Sequence, residues 1–520
     1  MQLEKIDLEK TGKFSTFFLD YVSENENLKP FYNLSPHPEN FITQIKQKNF
    51  NSEKRKILVD VLQEQYKDIA IEESVITNLK SLKKNNTYTI TTGHQLNIFT
   101  GPLYFIYKIV TIINVCKKLS GSYPDYNFVP VYWMASEDHD YEEISYINIK
   151  GKRYTWKTDQ SGAVGRFDPK SLAKLADEIP GGQTLFKEAY SSSATLSLAV
   201  RKYVNALFGK EGLVVIDADH PKLKADFKDI AKDDLLNHLA NKLVNETSAN
   251  INNIGHKPQI YPREINFFYL DDDIRCRIIH ENNSYQGVGT KLKFSEEELL
   301  NLLDQNPEKF SPNVILRPLY QEIILPNLAY IGGPAEIVYW LQLKDIFKHY
   351  KVPFPILIPR NFAMIIPRAI KNKINKLGLN YQDLFLDAEL LKGRFAKSLS
   401  KNDLSLDLEK KSVNSIFSKV KAKASKIDKT LEQYIDSERK KALDNYLKIE
   451  KKFLKAEKRK HQDQLNQIDS IFETLSPKGG LQERTENFLT FYYDTPDFVS
   501  QLLDNLDPFD PRFHILSEND

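Results

Sequence analysis

Residues 89–96 (Thr-Ile-Thr-Thr-Gly-His-Gln-Leu) end a β-branched run in a glycine, a histidine and a glutamine. β-Branching favours a strand, and Gly93-His94 reads as the corner where that strand stops. Gly101-Pro102 and a periodic apolar stretch follow. Strand, glycine turn and proline-led helix are how an open α/β sheet builds an anion site. Glycine permits close backbone approach, and a helix N-terminus offers unpaired N–H groups. Thr92, Gly93, His94 and Gln95 are therefore candidate binders of a phosphate or carboxylate, with His94 placed to contact a transferring group. The alternative is a tight turn whose histidine is merely hydrogen-bonded.

Ser136-Glu137-Asp138-His139-Asp140 is the second candidate. It follows an apolar run at 128–135, and strand ends line the crevice of an α/β sheet. Carboxylates and a histidine packed so closely suit an ammonium, a metal or a general base. Asp138, His139 and Asp140 are the candidate catalytic residues beside His94; the alternative is a polar loop that caps the next helix. No metal-ligand spacing supports a metal site. Residues 330–336 (Tyr-Ile-Gly-Gly-Pro-Ala-Glu) repeat the strand–glycine–proline logic, making Gly332, Gly333 and Glu336 candidate cofactor binders or a plain strand-to-helix connection. Asp217, Asp219 and His220 form a further polar strand end, either site or turn. Arg317, Arg360 and Asn361 flank sheet elements and suit phosphate or carboxylate, the alternative being arginines that are simply solvated. Cys116 reads as core, and Cys276 has no nucleophile signature around it.

The elements that must position these residues alternate between strand and helix. Strands are expected at 88–92, 128–135 and 213–217, with a helix at 103–119; near-continuous apolar strands joined by helices imply a parallel sheet. Residues 322–325, 330–331 and 355–359, with a helix at 335–349, complete the α/β signal. Antiparallel hairpins are expected at 260–294, turning at Asp271-Asp272-Asp273, and short strands at 146–156. The sheet is thus interrupted by insertions after its second and third strands. The first 85 residues read as helical, including an amphipathic segment at 41–66. From about 384 to 475 the chain reads as long helix. Val413, Ile416, Val420, Ala424, Ile427, Leu431 and Tyr434 form a 3-4 seam that suits a coiled coil, either as one rod or as a folded-back hairpin.

Length and charge bound the alternatives. At 520 residues two or three domains are expected. The 72 basic and 70 acidic residues nearly cancel, so no nucleic-acid footprint is expected. No apolar run reaches membrane-spanning length, since Lys108 interrupts the strongest. No secretory signal is visible and two cysteines make no disulfide framework, so a cytoplasmic protein is expected.

These motifs, together with Leu316-Arg317-Pro318 and Gly480-Leu481-Gln482-Glu483-Arg484, resemble the BshC family, the cysteine ligases of bacillithiol biosynthesis. The resemblance spans nearly the whole chain. It implies a Rossmann-like parallel-sheet core with connecting-peptide insertions, like those of class I aminoacyl-tRNA synthetases, and a coiled-coil domain through which two copies dimerise. The implied division is 1–150 N-terminal helices and first part of the core, 151–207 insertion, 208–245 core, 246–310 second insertion, 311–372 core completion, 373–485 coiled coil and 486–520 a segment packing on the body. The implied reaction joins the carboxyl of cysteine to the amine of glucosaminyl-malate, the last step of the pathway, with ATP as the expected energy source. Gly93-His94 then resembles the phosphate motif of the synthetases, with His94 stabilising charge on a phosphate. Asp138 or Asp140 would hold an ammonium group, and His139 would take the proton of the attacking amine. Neither a Lys-Met-Ser-Lys-Ser stretch nor a cysteine-rich zinc site is present. A nucleotide-binding scaffold without turnover, or another nucleotidyl- or acyl-transferase, remains open at this stage.

Overall fold

A computed structural model of the chain describes residues 1–180, 184–493, 495 and 497–519. The chain divides into two compact units, Met1–Met364 with Gln482–Leu516, and Ile365–Leu481 with Ser517–Asp520.

The first unit is organised by a five-stranded parallel sheet in the order Ile356–Pro359, Asn327–Gly332, Thr87–His94, Asn127–Met134, Val214–Asp217. Read in chain order, the third, second, first, fourth and fifth strands lie side by side, which is the Rossmann arrangement. The insertions leave and re-enter after the second and third strands, where the sequence pattern puts them. Thr87–His94 is buried at every position. Its threonine hydroxyls must therefore find partners inside the sheet. Thr89 and Thr91 Oγ1 donate to Asn327 Oδ1 at 3.2 and 2.8 Å, and Thr92 Oγ1 donates to the Ile331 carbonyl at 2.9 Å. The following helix, Tyr104–Ser122, is buried on most of its faces, Lys108 included.

Some expected elements differ. The 41–66 segment is two helices, Phe41–Gln47 and Ser52–Tyr66, because Asn51 Oδ1 accepts from the Lys54 N–H at 2.8 Å and starts the second afresh. Residues 322–324 are not sheet but the last turn of helix Arg317–Ile324. The 335–349 stretch is likewise two helices, Pro334–Trp340 and Lys344–His349. The second insertion carries an antiparallel sheet in which Arg275–Glu281 pairs with Phe267–Leu270 and Ser284–Gly287.

In the second unit, Asp407–Ile427 and Leu431–Lys460 form an antiparallel hairpin, so the folded-back alternative holds. Asp428 Oδ1 accepts from the Thr430 N–H at 2.8 Å in the turn. The register is marked by Ser425 Oγ to Glu432 (2.7 Å), Lys421 to Asp436 (2.6 Å), Arg439 to Asn414 (3.1 Å) and Lys410 to Glu450 (2.9 Å). Of the seam residues, Ala424 is buried, while Ile416, Tyr434 and Ile427 are 59%, 61% and 81% exposed. One hairpin alone does not cover its own apolar stripe.

Candidate active site

The strand order reverses direction between Thr87–His94 and Asn327–Gly332, and their carboxyl ends open into a cavity of about 350 Å³. That is where an open α/β sheet binds its ligand. Gly93, His94, Gln95, Glu137, Asp138, Gly333 and Glu336 all line it. Three motifs separated in sequence thus meet in one place.

Gly93 is not the corner the sequence implies. It lies within the strand, opposite Trp133, with no left-handed backbone. A Cβ there would stand 3.4 Å from Tyr330 Oη and 3.8 Å from Arg317 Nη1, ordinary contact distances, so neither a turn nor close packing demands glycine here. The real turn comes later. Phe99 and Thr100 take positive φ, and Gly101 has φ 67° and ψ −146°. Nor does the helix start offer free donors throughout: the Leu103 N–H donates to the Glu486 carbonyl at 2.7 Å and the Phe105 N–H to the Pro102 carbonyl at 3.0 Å. At the second glycine motif, the Gly333 N–H is taken by Glu336 Oε2 at 2.7 Å. Gly332 pairs with Pro359 inside the sheet and does not line the cavity. Thr92 is also outside it, its hydroxyl committed to the neighbouring strand. Recognition at this site therefore falls to side chains.

His94 is held between Tyr104 and Phe105, with ring centroids 5.2 and 5.1 Å away. Burial pushes its pKa well below the usual histidine value, and the cations Lys108 and Arg360 push the same way. The imidazole is neutral at pH 7, and its buried Nε2 has no hydrogen-bond partner among the described residues. Lys108 Nζ reaches the Gly93 carbonyl and Glu336 Oε2, each at 2.7 Å. Burial raises the Glu336 carboxyl, but Lys108, the Gly333 N–H and Tyr330 outweigh it and hold the acid below its ordinary range. Arg360 is fixed by Glu483 at 2.5 and 3.0 Å, leaving its own buried Nε unpartnered.

The opposite character comes from the Ser136–Asp140 segment. Asp138 accepts from Gln95 Nε2 at 2.6 Å, from the His139 N–H at 2.7 Å and from Arg275 at 3.3 Å. These contacts overcome its burial and keep it ionised far below the usual carboxylate range. Glu137 pairs with buried Lys224, while its own burial still raises its pKa. His139 does not line the cavity; it is exposed, with Nδ1 2.6 Å from Arg275 Nη1. Asp140 is also outside, capping the short helix Tyr141–Ile144 by accepting from the Glu143 N–H at 3.2 Å. The helix-capping alternative thus describes Asp140. Sequence reading passed over Glu143, which lines the cavity and has no hydrogen bond or ion pair to its carboxylate among the described residues. Burial and the neighbouring Asp140 and Asp138 raise its pKa. Arg275, Tyr104 and Arg484 also line the cavity and were passed over as site residues. Arg275 arrives from an insertion strand, and Arg484 from the far end of the chain, where the Gly480–Arg484 stretch carried the family resemblance but no site assignment.

Asp217 and Asp219 belong to a separate polar cavity of about 300 Å³, where Ser136 Oγ meets Asp217 at 2.5 Å and Arg166 meets Asp219 at 2.9 Å. His220 caps the next helix. Among the described residues, no cluster of histidine, cysteine or carboxylate side chains suits a metal ion.

The buried neutral His94 makes a stability prediction. A histidine whose folded pKa is depressed stays neutral in the folded chain while the unfolded chain takes up a proton. Its contribution is therefore full above about pH 6.5 and is lost as pH falls below it. The stability advantage of the wild type over His94→Gln should shrink by up to about 1.4 kcal/mol per pH unit in that window. Urea unfolding of both proteins between pH 5 and 8 measures this, and a pH-independent difference would contradict it.

A Rossmann-like unit with a cavity of mixed charge at its switch point, joined in sequence to an antiparallel helical hairpin, is the class this chain defines. The chain belongs to the BshC family of bacillithiol biosynthesis. Residues 1–361 match the model described as the N-terminal Rossmann-like domain of bacillithiol biosynthesis BshC, and residues 363–518 match its C-terminal coiled-coil domain. Among similar proteins, one from Flavobacterium psychrophilum is 43% identical, covering 99% of both chains. One from Flavobacterium johnsoniae is 41% identical over 99% of this chain and 100% of its own, and one from Cytophaga hutchinsonii is 38% identical over 97% of each. All three carry the name "Putative cysteine ligase BshC". No described helix is long and apolar enough to cross a membrane.

Proposed function

We propose that the protein is a cytoplasmic ligase that joins the carboxyl of cysteine to the amine of glucosaminyl-malate, the last step of bacillithiol formation. The observation that carries this reading is a single cavity lined by cations (Lys108, Arg275, Arg317, Arg360, Arg484) and carboxylates (Glu137, Asp138, Glu143, Glu336) together. Amide formation needs both. An anionic, activated carboxyl and a cationic amine must be held together, and orientation alone supplies much of the rate. ATP, when bound, supplies the phosphoryl leaving group that makes the carboxyl oxygen displaceable. The unpartnered His94 Nε2 and Arg360 Nε fit such a group, because a phosphate offers acceptors to donors that the protein leaves unused.

In this reading Asp138, firmly ionised, holds the ammonium. Glu143, with its raised pKa and no protein partner, takes the proton that the amine must lose before its nitrogen attacks. His94 donates to negative charge developing on the activated carboxyl or its leaving group, an electrostatic role suited to an imidazole that stays neutral. Incubating the protein with cysteine, glucosaminyl-malate and ATP should yield bacillithiol with stoichiometric nucleotide consumption, read by mass spectrometry. ATP bound but never consumed would instead support a scaffold.

The exposed hairpin stripe supports assembly as a homodimer, since Ile416, Ile427 and Tyr434 present apolar surface at coiled-coil spacing. The double variant Ile416→Glu, Tyr434→Glu should convert a dimer into a monomer in sedimentation experiments. A wild-type monomer, or a variant that remains dimeric, would contradict this.

A further inference from the structure

We infer that Arg484, with His94 and Arg360 grouped around the Tyr104 ring, forms an anion subsite in which Arg484 engages a phosphate or carboxylate of the ligand. This deepens the ligase reading and rests on it only for the identity of the ligand.

Five cationic side chains line the cavity, and four are occupied by the protein itself. Lys108 is held by Glu336, Arg275 by Asp138 and Arg360 by Glu483. Arg317 donates to Gln321 at 3.2 Å and lies over the Trp133 and Tyr330 rings, 5.8 and 5.7 Å from their centroids. Arg484 is exposed and makes no hydrogen bond or ion pair among the described residues. It is nonetheless well anchored, because the adjacent Glu483 is fully buried in its pair with Arg360 and its Oε2 also accepts from the Ala363 N–H at 3.2 Å. An arginine with a fixed backbone and a free head loses less entropy on meeting an anion than one on a loose loop.

The second observation is the pair of unused buried nitrogens. His94 Nε2 and Arg360 Nε both lack partners. The His94 ring lies 5.2 Å from that of Tyr104, the Arg360 guanidinium carbon lies 5.3 Å from the Tyr104 centroid, and Arg484 lines the same cavity, as do the carboxylates Glu143 and Glu336. Two unpartnered nitrogens therefore flank one aromatic ring, and the free guanidinium of Arg484 lines the cavity beside them. Buried donors without partners are rare, and a ligand anion is the acceptor that would satisfy them. The glycine-motif and helix-start amides committed to protein partners leave this work to the side chains.

Calorimetric titration of the full-length protein with inorganic pyrophosphate and, separately, with L-malate tests the subsite. At least one should bind the wild type, and Arg484→Gln should weaken that anion about ten- to a hundredfold, with Arg484→Lys intermediate. Binding of pyrophosphate assigns the subsite to a nucleotide phosphate; binding of malate assigns it to a substrate carboxylate. No binding of either anion, or equal binding by Arg484→Gln, overturns the inference. Wild-type anion binding without ligation would remove the ligase reading and leave the subsite intact.

Discussion

His94→Ala should lower the turnover of ligation by about 10²- to 10³-fold, the effect of removing one donor aimed at developing negative charge. The magnitude follows from the setting of the ring. The imidazole is buried, neutral and clamped between Tyr104 and Phe105, so it needs no reorganisation to meet the charge. Truncation also leaves a void between those rings, so urea unfolding must be read beside the kinetics. His94→Gln, which keeps a donor, should recover part of the rate. A loss confined to KM, or smaller than tenfold, would mean that the histidine only shapes the cavity.

Glu483→Ala should cost about 3–5 kcal/mol of stability, because it strands a buried cation. Both carboxylate oxygens of Glu483 are used: Oε1 and Oε2 accept from Arg360, and Oε2 accepts from the Ala363 N–H. Without them the Arg360 guanidinium keeps only the Asn361 carbonyl and the faces of Tyr104 and Phe362. The double variant Arg360→Met, Glu483→Leu should restore much of the loss, since replacing both charges removes the desolvation cost. Chemical denaturation measures both. A single-variant loss below about 1 kcal/mol would show that Arg360 finds another acceptor or reaches solvent.

The sheet was legible because buried parallel strands write themselves as apolar runs, as at 128–135 and 213–217, and helices between them have their own period. The candidate site was legible where the ends of strands meet the cavity, as at His94 and Asp138, and at Glu336 in the helix that follows the fourth strand. Its finer geometry was not. Glycine 93 looks like a turn residue, yet it lies inside the strand opposite Trp133, and its neighbours Tyr330 and Arg317 are side chains more than two hundred residues away in sequence. Asp140 and His139 share a motif with Asp138, but the chain turns into a short helix there and carries them away from the cavity. Arg275 and Arg484 come from an insertion strand and from the segment after the helical unit, and only the folded chain brings them to the strand ends. The hairpin was undecided because its seam residues suit both a rod and a fold-back; Asp428 and Thr430 in the turn decide it.

In the proposed reaction this cavity activates a carboxyl and transfers it to an amine. Running the reaction with cysteine labelled by oxygen-18 in its carboxyl group tests it most directly. If the carboxyl is activated by phosphoryl or nucleotidyl transfer, one labelled oxygen must leave with the phosphorus-containing product, and mass spectrometry should find it there alongside bacillithiol. Bacillithiol formed with no label in that product would contradict the account.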